Sequence, residues 1–228
     1  MEITFWGHAC VQIEAAGYSV ICDPYITDNA LCPVKDLSQF KVDGILVSHG
    51  HHDHLGDAVA LAKANDALVV GVAEMAGYIA RQDAKTHAMH IGGAHQFDFG
   101  WVKVTPAWHG SSVTLDGQGI YTGNPCGFLY RAEGKTVYFA GDTGLFGDME
   151  LIGKLNPIDV AFLPIGDNYV MGIDDAVYAA KLLQAKLTVP MHYNTFPLIT
   201  QDPQEFKDKL AAENLACQIL APGEKLTL

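Results

Sequence analysis

Short apolar runs separated by Gly, Asp and Asn recur along the chain, and their periods predict strands and helices in both halves. Val11-Gln12-Ile13 and Tyr18-Ser19-Val20-Ile21-Cys22 flank Ala16-Gly17, which predicts a β-hairpin. Gly44-Ile45-Leu46-Val47-Ser48 and Ala67-Leu68-Val69-Val70 predict buried strands. The segment from Asp57 to Ala64 between them predicts a helix with Asp57 as its N-cap. A second β-rich stretch holds Trp101 to Thr105, Gly127 to Tyr130 and Thr136 to Ala140, with a turn at Gly134-Lys135 before the last. Asp159 to Leu163 and Leu187 to Pro190 predict two more strands. They bracket a helix from Ile173 to Gln184, in which Ile173, Ala176, Val177, Ala180 and Leu183 recur at helical spacing. Asp174 and Asp175 in its first turn suit the helix dipole. Pro203 to Ala212 predicts a last helix, opened by a proline. The pattern defines an α/β chain whose halves divide near residues 110–125, without a linker, a low-complexity segment or a short repeat.

Composition narrows this only a little. A chain of 228 residues with 49% hydrophobic and 18% charged residues has the balance of a globular protein with a substantial core. The net charge of −12 disfavours generic nucleic-acid binding, because an acidic surface repels phosphate backbones; two bound divalent cations would weaken that argument locally. The five cysteines (Cys10, Cys22, Cys32, Cys126 and Cys217) are odd in number and lack C-x-x-C spacing. They read as isolated buried thiols rather than a disulfide framework or a zinc knuckle. With no leader pattern and no apolar run of the ~20 residues that span a bilayer, the expected location is cytoplasmic and no membrane insertion is expected.

The decisive segment is Ser48-His49-Gly50-His51-His52-Asp53-His54-Leu55-Gly56-Asp57, which contains H-x-H-x-D-H. A lone histidine is more often a satisfied polar residue than a ligand; His49, His51, Asp53 and His54 offer four metal-ligand side chains within six residues. The alternatives are a surface histidine tract or a tag. A tag belongs at a terminus, whereas this run follows a strand and precedes a helix. Alternation at the strand's carboxyl end would let His49 and His51 converge on one metal while Asp53 and His54 reach a second. Imidazole-rich ligation suits zinc, iron, manganese or nickel rather than magnesium or calcium.

A binuclear site needs more ligands. His109, Asp142 and His192 each lie just past the carboxyl end of a predicted strand, where loops gather into sites. Asp142, between a strand and glycines, can bridge two cations. His87, His90 and His95 lack that placement and read as ordinary surface or edge residues.

In order and spacing, H-x-H-x-D-H at 49–54, His109, Gly141-Asp142-Thr143 and His192 resemble the metallo-β-lactamase superfamily over nearly the whole chain. Trp6-Gly7-His8-Ala9, Phe139 to Gly144, Pro164 to Asn168 and Pro190 to Pro197 are similar to a compact prokaryotic branch of metal-dependent hydrolases of unassigned substrate. That branch is related to L-ascorbate-6-phosphate lactonases and to N-acyl-phosphatidylethanolamine phospholipase D. The resemblance implies a four-layer αββα sandwich forming one metallo-hydrolase domain over 1–228. It implies one metal on His49, His51 and His109, a second on Asp53, His54 and His192, and Asp142 between them. The two divalent ions would be Zn2+, with Mn2+, Fe2+ or Ni2+ as alternatives. Association into homo-oligomers, frequent among such relatives, is a further expectation. Di-iron flavoprotein relatives carry Glu where His51 stands, so oxygen or nitric-oxide reduction is not expected.

The expected chemistry is hydrolysis of a small-molecule ester, lactone, amide or phosphoester. Two cations about 3.5–4 Å apart would lower the pKa of a shared water towards ~7, and the hydroxide would attack. Asp53 is a candidate to orient that hydroxide. His8 is a candidate catalytic residue that donates to the leaving group or binds substrate, or else a packed strand-end histidine. Asp23 reads equally as a partner for a ligand histidine or as a simple turn residue. Tyr193 and Asn194 are candidates to line the pocket. The alternatives are a phosphodiesterase or nuclease, against which the acidic charge counts, and a non-catalytic metal-dependent sensor or scaffold. The loop from Gly110 to Asn124 carries no readable specificity code.

Overall fold

Two mixed β-sheets organise the chain, described over residues 1–228 in a computed structural model. The first half runs β1 (Glu2–Phe5), β2 (Val11–Ala15), β3 (Tyr18–Cys22), β4 (Gly44–Leu46), α1 (His52–Leu55), α2 (Ala58–Asn65), β5 (Leu68–Val72), α3 (Ala73–Ala80) and β6 (Thr86–Met89). The second runs β7 (Ala94–Phe97), β8 (Gly100–Pro106), β9 (Ser112–Leu115), β10 (Gln118–Tyr121), β11 (Cys126–Ala132), β12 (Lys135–Phe139), α4 (Met149–Leu155), β13 (Val160–Pro164), α5 (Ile173–Leu183), β14 (Leu187–Met191), α6 (Pro203–Ala212) and β15 (Lys225–Thr227). One sheet has the order β15-β1-β2-β3-β4-β5-β6 and the other β14-β13-β12-β11-β8-β7; β9 and β10 form a separate ribbon. In each large sheet an antiparallel part gives way to a parallel one, β3 to β6 in the first and β12 to β14 in the second.

The physical reason lies in the runs themselves. β4 and β13 are buried along their whole length, as parallel strands covered on both faces must be. On the outer side α2 and α3 lie on β4, β5 and β6, while α5 lies on β13 and packs against α4 and α6. One cluster of 60 buried residues, drawn from both sheets and the inner faces of the helices, joins Ile13, Ile45 and Val69 to Val104, Phe128, Phe139 and Phe162. The architecture is a four-layer αββα sandwich. Pro190, which cannot donate to a ladder, sits on β14 at a sheet edge, where a missing N–H is tolerated. No helix is long and apolar enough to cross a membrane. All five cysteines are free, and four are buried.

Some local expectations change. Asp57 stands at the N-cap of α2 but its side chain does not cap it; it accepts instead from the N–H groups of Ile26 and Thr27 and the Thr27 hydroxyl. The turn of α1 immediately before it already delivers the chain into α2, so the carboxylate is free to hold the loop after β3. On α5 the buried set is Ile173, Ala176, Ala179, Ala180 and Leu183, with Val177 only half-buried. His87 and His95 lie on the edge strands β6 and β7, with ring centroids 4.6 Å apart, and His90 is exposed in the turn between them.

Helix α4 meets α5 through Gly153. A Cβ there would collide with the backbone carbonyl of Leu183 and sit 2.8 Å from its Cα. Gly→Ala in an open helix stabilises by about 1 kcal/mol. Here the sign should reverse, with Gly153→Ala costing about 1–3 kcal/mol through overpacking. A urea midpoint equal to or above wild type would show that the contact yields.

Candidate metal centre

Six strands deliver polar side chains from their carboxyl ends to one edge of the sandwich. His8 follows β1, Asp23 follows β3, the 49–54 run follows β4, His109 follows β8, Asp142 follows β12 and His192 follows β14. His49 is fully buried just past β4. The chain then closes a single helical turn, α1, with His51 at its N-cap in extended conformation. Successive helical side chains point about 100° apart, so α1 turns Asp53 and His54 inward and leaves the His52 side chain 78% exposed. The division of the run into two pairs is thus made by a helical turn rather than by strand alternation.

One oxygen, Oδ2 of Asp142, is the focus. His192 Nε2 lies 3.1 Å from it, His54 Nε2 3.2 Å, His109 Nε2 3.5 Å and His49 Nε2 3.9 Å. On one side His49, His51 and His109 bring their ring nitrogens together, with His49 Nε2 2.9 Å from His51 Nδ1. On the other, His54 and His192 group with Asp53 and His8. Gly141, at φ +63°, permits this approach: a Cβ there would come within 3.1 Å of the Ser48 Cβ.

The donor set fits a cation. His54 Nε2, His192 Nε2 and Asp142 Oδ1 are buried without hydrogen-bond partners, an arrangement costly in a dry interior unless another group satisfies it. Burial opposes ionisation of Asp142, but His192 and His54 outweigh it and hold the carboxyl well below its ordinary range. Burial also works against a charged His54. Asp142 and Asp23 outweigh it, so the imidazole sits well above its usual value and supplies positive charge where a metal would.

Asp23 is buried and anchors the ligand side chains. Its Oδ1 accepts from the Ser48 N–H at 2.7 Å. Its Oδ2 accepts from the Ser48 hydroxyl at 2.5 Å and from His54 Nδ1 at 2.7 Å. With its proton on Asp23, Ser48 Oγ accepts from His49 Nδ1 at 2.9 Å. Both histidines therefore commit Nδ1 as the donor and turn Nε2 to the centre, where a bound cation would replace the proton that His54 carries in its absence. His192 departs from this pattern: its Nδ1 has no partner.

His8 lies behind the centre. Its Nε2 is 3.1 Å from Asp53 Oδ2, its Nδ1 2.8 Å from Thr195 Oγ1, and its ring 4.1 Å from that of His192. Burial, and then His192, push its pKa down to about 3, so it is neutral. Both nitrogens are engaged and His8 is absent from the cleft wall. The contact His8 makes on this side is with Asp53, whose carboxyl stays ionised despite burial because His8 and His54 outweigh it. Three of these residues, His8 (φ +58°), Asp23 (φ +42°) and His192 (φ +56°), occupy the left-handed region, which the His192 N–H to His8 carbonyl bond of 2.7 Å helps enforce.

The centre opens into a cleft of about 960 Å³, whose wall includes His51, Asp53, His109, Asp142 and His192. Tyr193 and Asn194 do not line it: Tyr193 packs towards the core and Asn194 Oδ1 accepts from the Gln201 N–H. Phe196, Pro197 and Leu198, just beyond, take that place. The β9–β10 ribbon adds Ser112, Val113 and Thr114; its turn carries Asp116-Gly117, the hairpin signal that could have revealed it. Ser48 and Thr195 had no such signal, since their importance is contact alone.

A mixed-sheet αββα sandwich with this His/Asp cluster at one edge defines a metallo-hydrolase. The chain belongs to the metallo-β-lactamase superfamily, and the beta-lactamase superfamily domain matches residues 18–193. Among its relatives, a UPF0173 metal-dependent hydrolase of Geobacillus sp. (strain WCH70) is 56% identical over 229 residues, and one of Bacillus cereus (strain AH187) is 55% identical over 230, both chains covered completely in each case. The metallo hydrolase Igni18 of the hyperthermophilic archaeon Ignicoccus hospitalis superimposes with a TM-score of 0.91 at 37% identity, covering 100% of this chain and 97% of that one. The protein is a metal-dependent hydrolase.

Proposed function

We propose that the protein hydrolyses an ester, lactone, amide or phosphoester bond of a small molecule at a binuclear centre. His49, His51 and His109 would hold one divalent ion and Asp53, His54 and His192 the other, with Asp142 shared. The observation that carries this reading is the set of four imidazole nitrogens within 3.9 Å of the single Asp142 oxygen. Five imidazoles and two carboxylates form a donor set suited to zinc and acceptable to manganese, iron or nickel.

When bound, such ions would lower the pKa of a water towards neutrality and polarise the scissile bond. The chain's own residues do the rest. Asp53 reaches the cleft with one carboxylate oxygen on His8, and can take a proton from the attacking water and hold it in line with the substrate. His8, fixed by Thr195, holds Asp53 in that rotamer.

Elemental analysis of untagged protein purified without chelators tests the centre. About two transition-metal ions per chain are expected, and no uptake from solution would overturn the reading. For His8→Ala, metal content should persist while kcat falls on the order of 10–100-fold with KM little changed, the split expected when a supporting partner is lost. Equal kcat in variant and wild type would leave His8 a packing residue.

A further inference from the structure

The cleft wall carries chemistry that selects among the bonds just proposed. None of its 21 residues is Lys or Arg, and Asp28 and Asp57 stand on it besides Asp53 and Asp142. The donors an anion could have used on the Thr27 wall, the Thr27 N–H and hydroxyl, are already bonded to Asp57. Cations close to the wall face elsewhere. Lys35 donates to the backbone carbonyls of Ile26 and Asn29, and the exposed Arg81 guanidinium lies 5.9 Å from the ring centroid of Tyr78 without itself lining the cleft.

Beside these acids is an aromatic and apolar surface that begins at Tyr25, whose hydroxyl donates to the Asp28 carbonyl. His52 lies edge-on to Tyr25 with centroids 6.0 Å apart and 6.4 Å from Phe196, which in turn meets His8 edge-on at 5.5 Å. At the mouth, Leu198 is 64% and Tyr169 52% exposed. Apolar side chains held in water around a concave site are the mark of a ligand that covers them.

We propose that the substrate is uncharged away from the bond that is cleaved. It carries an apolar or aromatic group that lies along Tyr25, Phe196 and Leu198, and substrates with a phosphate or carboxylate there are rejected. The proposal rests on the hydrolase reading above. Away from the centre, an anionic group would lose its hydration beside Asp28 and Asp57 and gain no lysine or arginine in return, whereas an apolar group gains from burying the rim. Phosphorylated substrates are thereby disfavoured within the bond classes named, and so are nucleic acids.

The test uses metal-loaded protein and ligands that chelate metal without being turned over. Calorimetry would compare benzohydroxamic acid with its 4-carboxy and 4-phosphono analogues. The uncharged member should bind at least tenfold more tightly than either anion. Phe196→Ala and Leu198→Ala should narrow the gap by weakening the uncharged member, and Leu198→Lys should narrow it by strengthening the anions. Anionic analogues that bind as tightly as benzohydroxamic acid overturn the proposal, as does failure of every member to bind. Hydrolysis of phenyl acetate is measured alongside. No turnover, with the tenfold preference intact, removes simple aryl esters from the proposed bond classes and leaves the pocket chemistry standing.

Discussion

Asp142→Ala should lose bound metal and hydrolysis together while the protein remains folded. Asp142 brings one oxygen within 3.9 Å of imidazoles from both groups, through His192, His54, His109 and His49. In the proposed centre it both bridges the ions and carries the negative charge that keeps them there. The charge stabilisation such ions supply is several kcal/mol, so turnover should fall by about 10³-fold or more. The fold should survive because the sandwich core is built from other residues and His54 keeps Asp23 as a partner. Asp142→Asn separates charge from shape: it keeps an oxygen in place, and should retain some metal at reduced affinity. The measurements are elemental analysis, turnover and circular dichroism on the same preparations. A folded Asp142→Ala protein that kept two ions and full turnover would sink the bridging role.

The second large effect is expected at Asp23, which never touches the cleft. Asp23→Ala leaves three buried donors, the Ser48 N–H and hydroxyl and His54 Nδ1, without their shared acceptor. Breaking a buried charged hydrogen-bond network by removing one member costs about 3–5 kcal/mol. For a chain of this size that is a drop of roughly 6–20 °C in Tm. Metal affinity should fall about 10–100-fold as well, because the tautomers of His49 and His54 are no longer dictated. Asp23→Asn should lie between. It tolerates the positive φ and the space, but its amide can present an oxygen to only one side, so one donor faces another donor. An Asp23→Ala protein that melts within a degree or two of wild type and takes up metal normally would reduce Asp23 to a turn residue.

The contrast between these two aspartates shows where sequence reasoning had purchase. Asp142 could be singled out because it stands just after a strongly apolar run and Gly141, a placement visible within ten residues. Asp23 stands in a comparable place before Pro24, and the same reasoning left it balanced between a turn and a ligand partner. Its role depends on Ser48 and His54, which lie 25 and 31 residues further along the chain. His8 raises the same difficulty at greater range: its partners Asp53 and Thr195 are 45 and 187 residues away. No local pattern encodes such contacts.

Secondary structure divided along the same line. The parallel strands β4 and β13 and the helices α5 and α6 were legible, because burial on two faces or one imposes an apolar period on the residues themselves. Helix α3 follows β5 with no break in an apolar run, and α1 is a single turn inside the histidine cluster; in both, tertiary packing decides between strand, turn and helix. The sequence by itself thus determined the α/β class, the dense run from His49 to His54, and the chain order of His109, Asp142 and His192. Each follows from periodicity or from residues a few positions apart. Only the tertiary structure decided that one Asp142 oxygen collects four histidines, that His8 lies behind the centre rather than in the cleft wall, and that acids and aromatics rather than lysines and arginines line it. Those facts belong to loops that meet at the carboxyl ends of strands from both sheets, and which side chains face one another there is set by how the sheets pack.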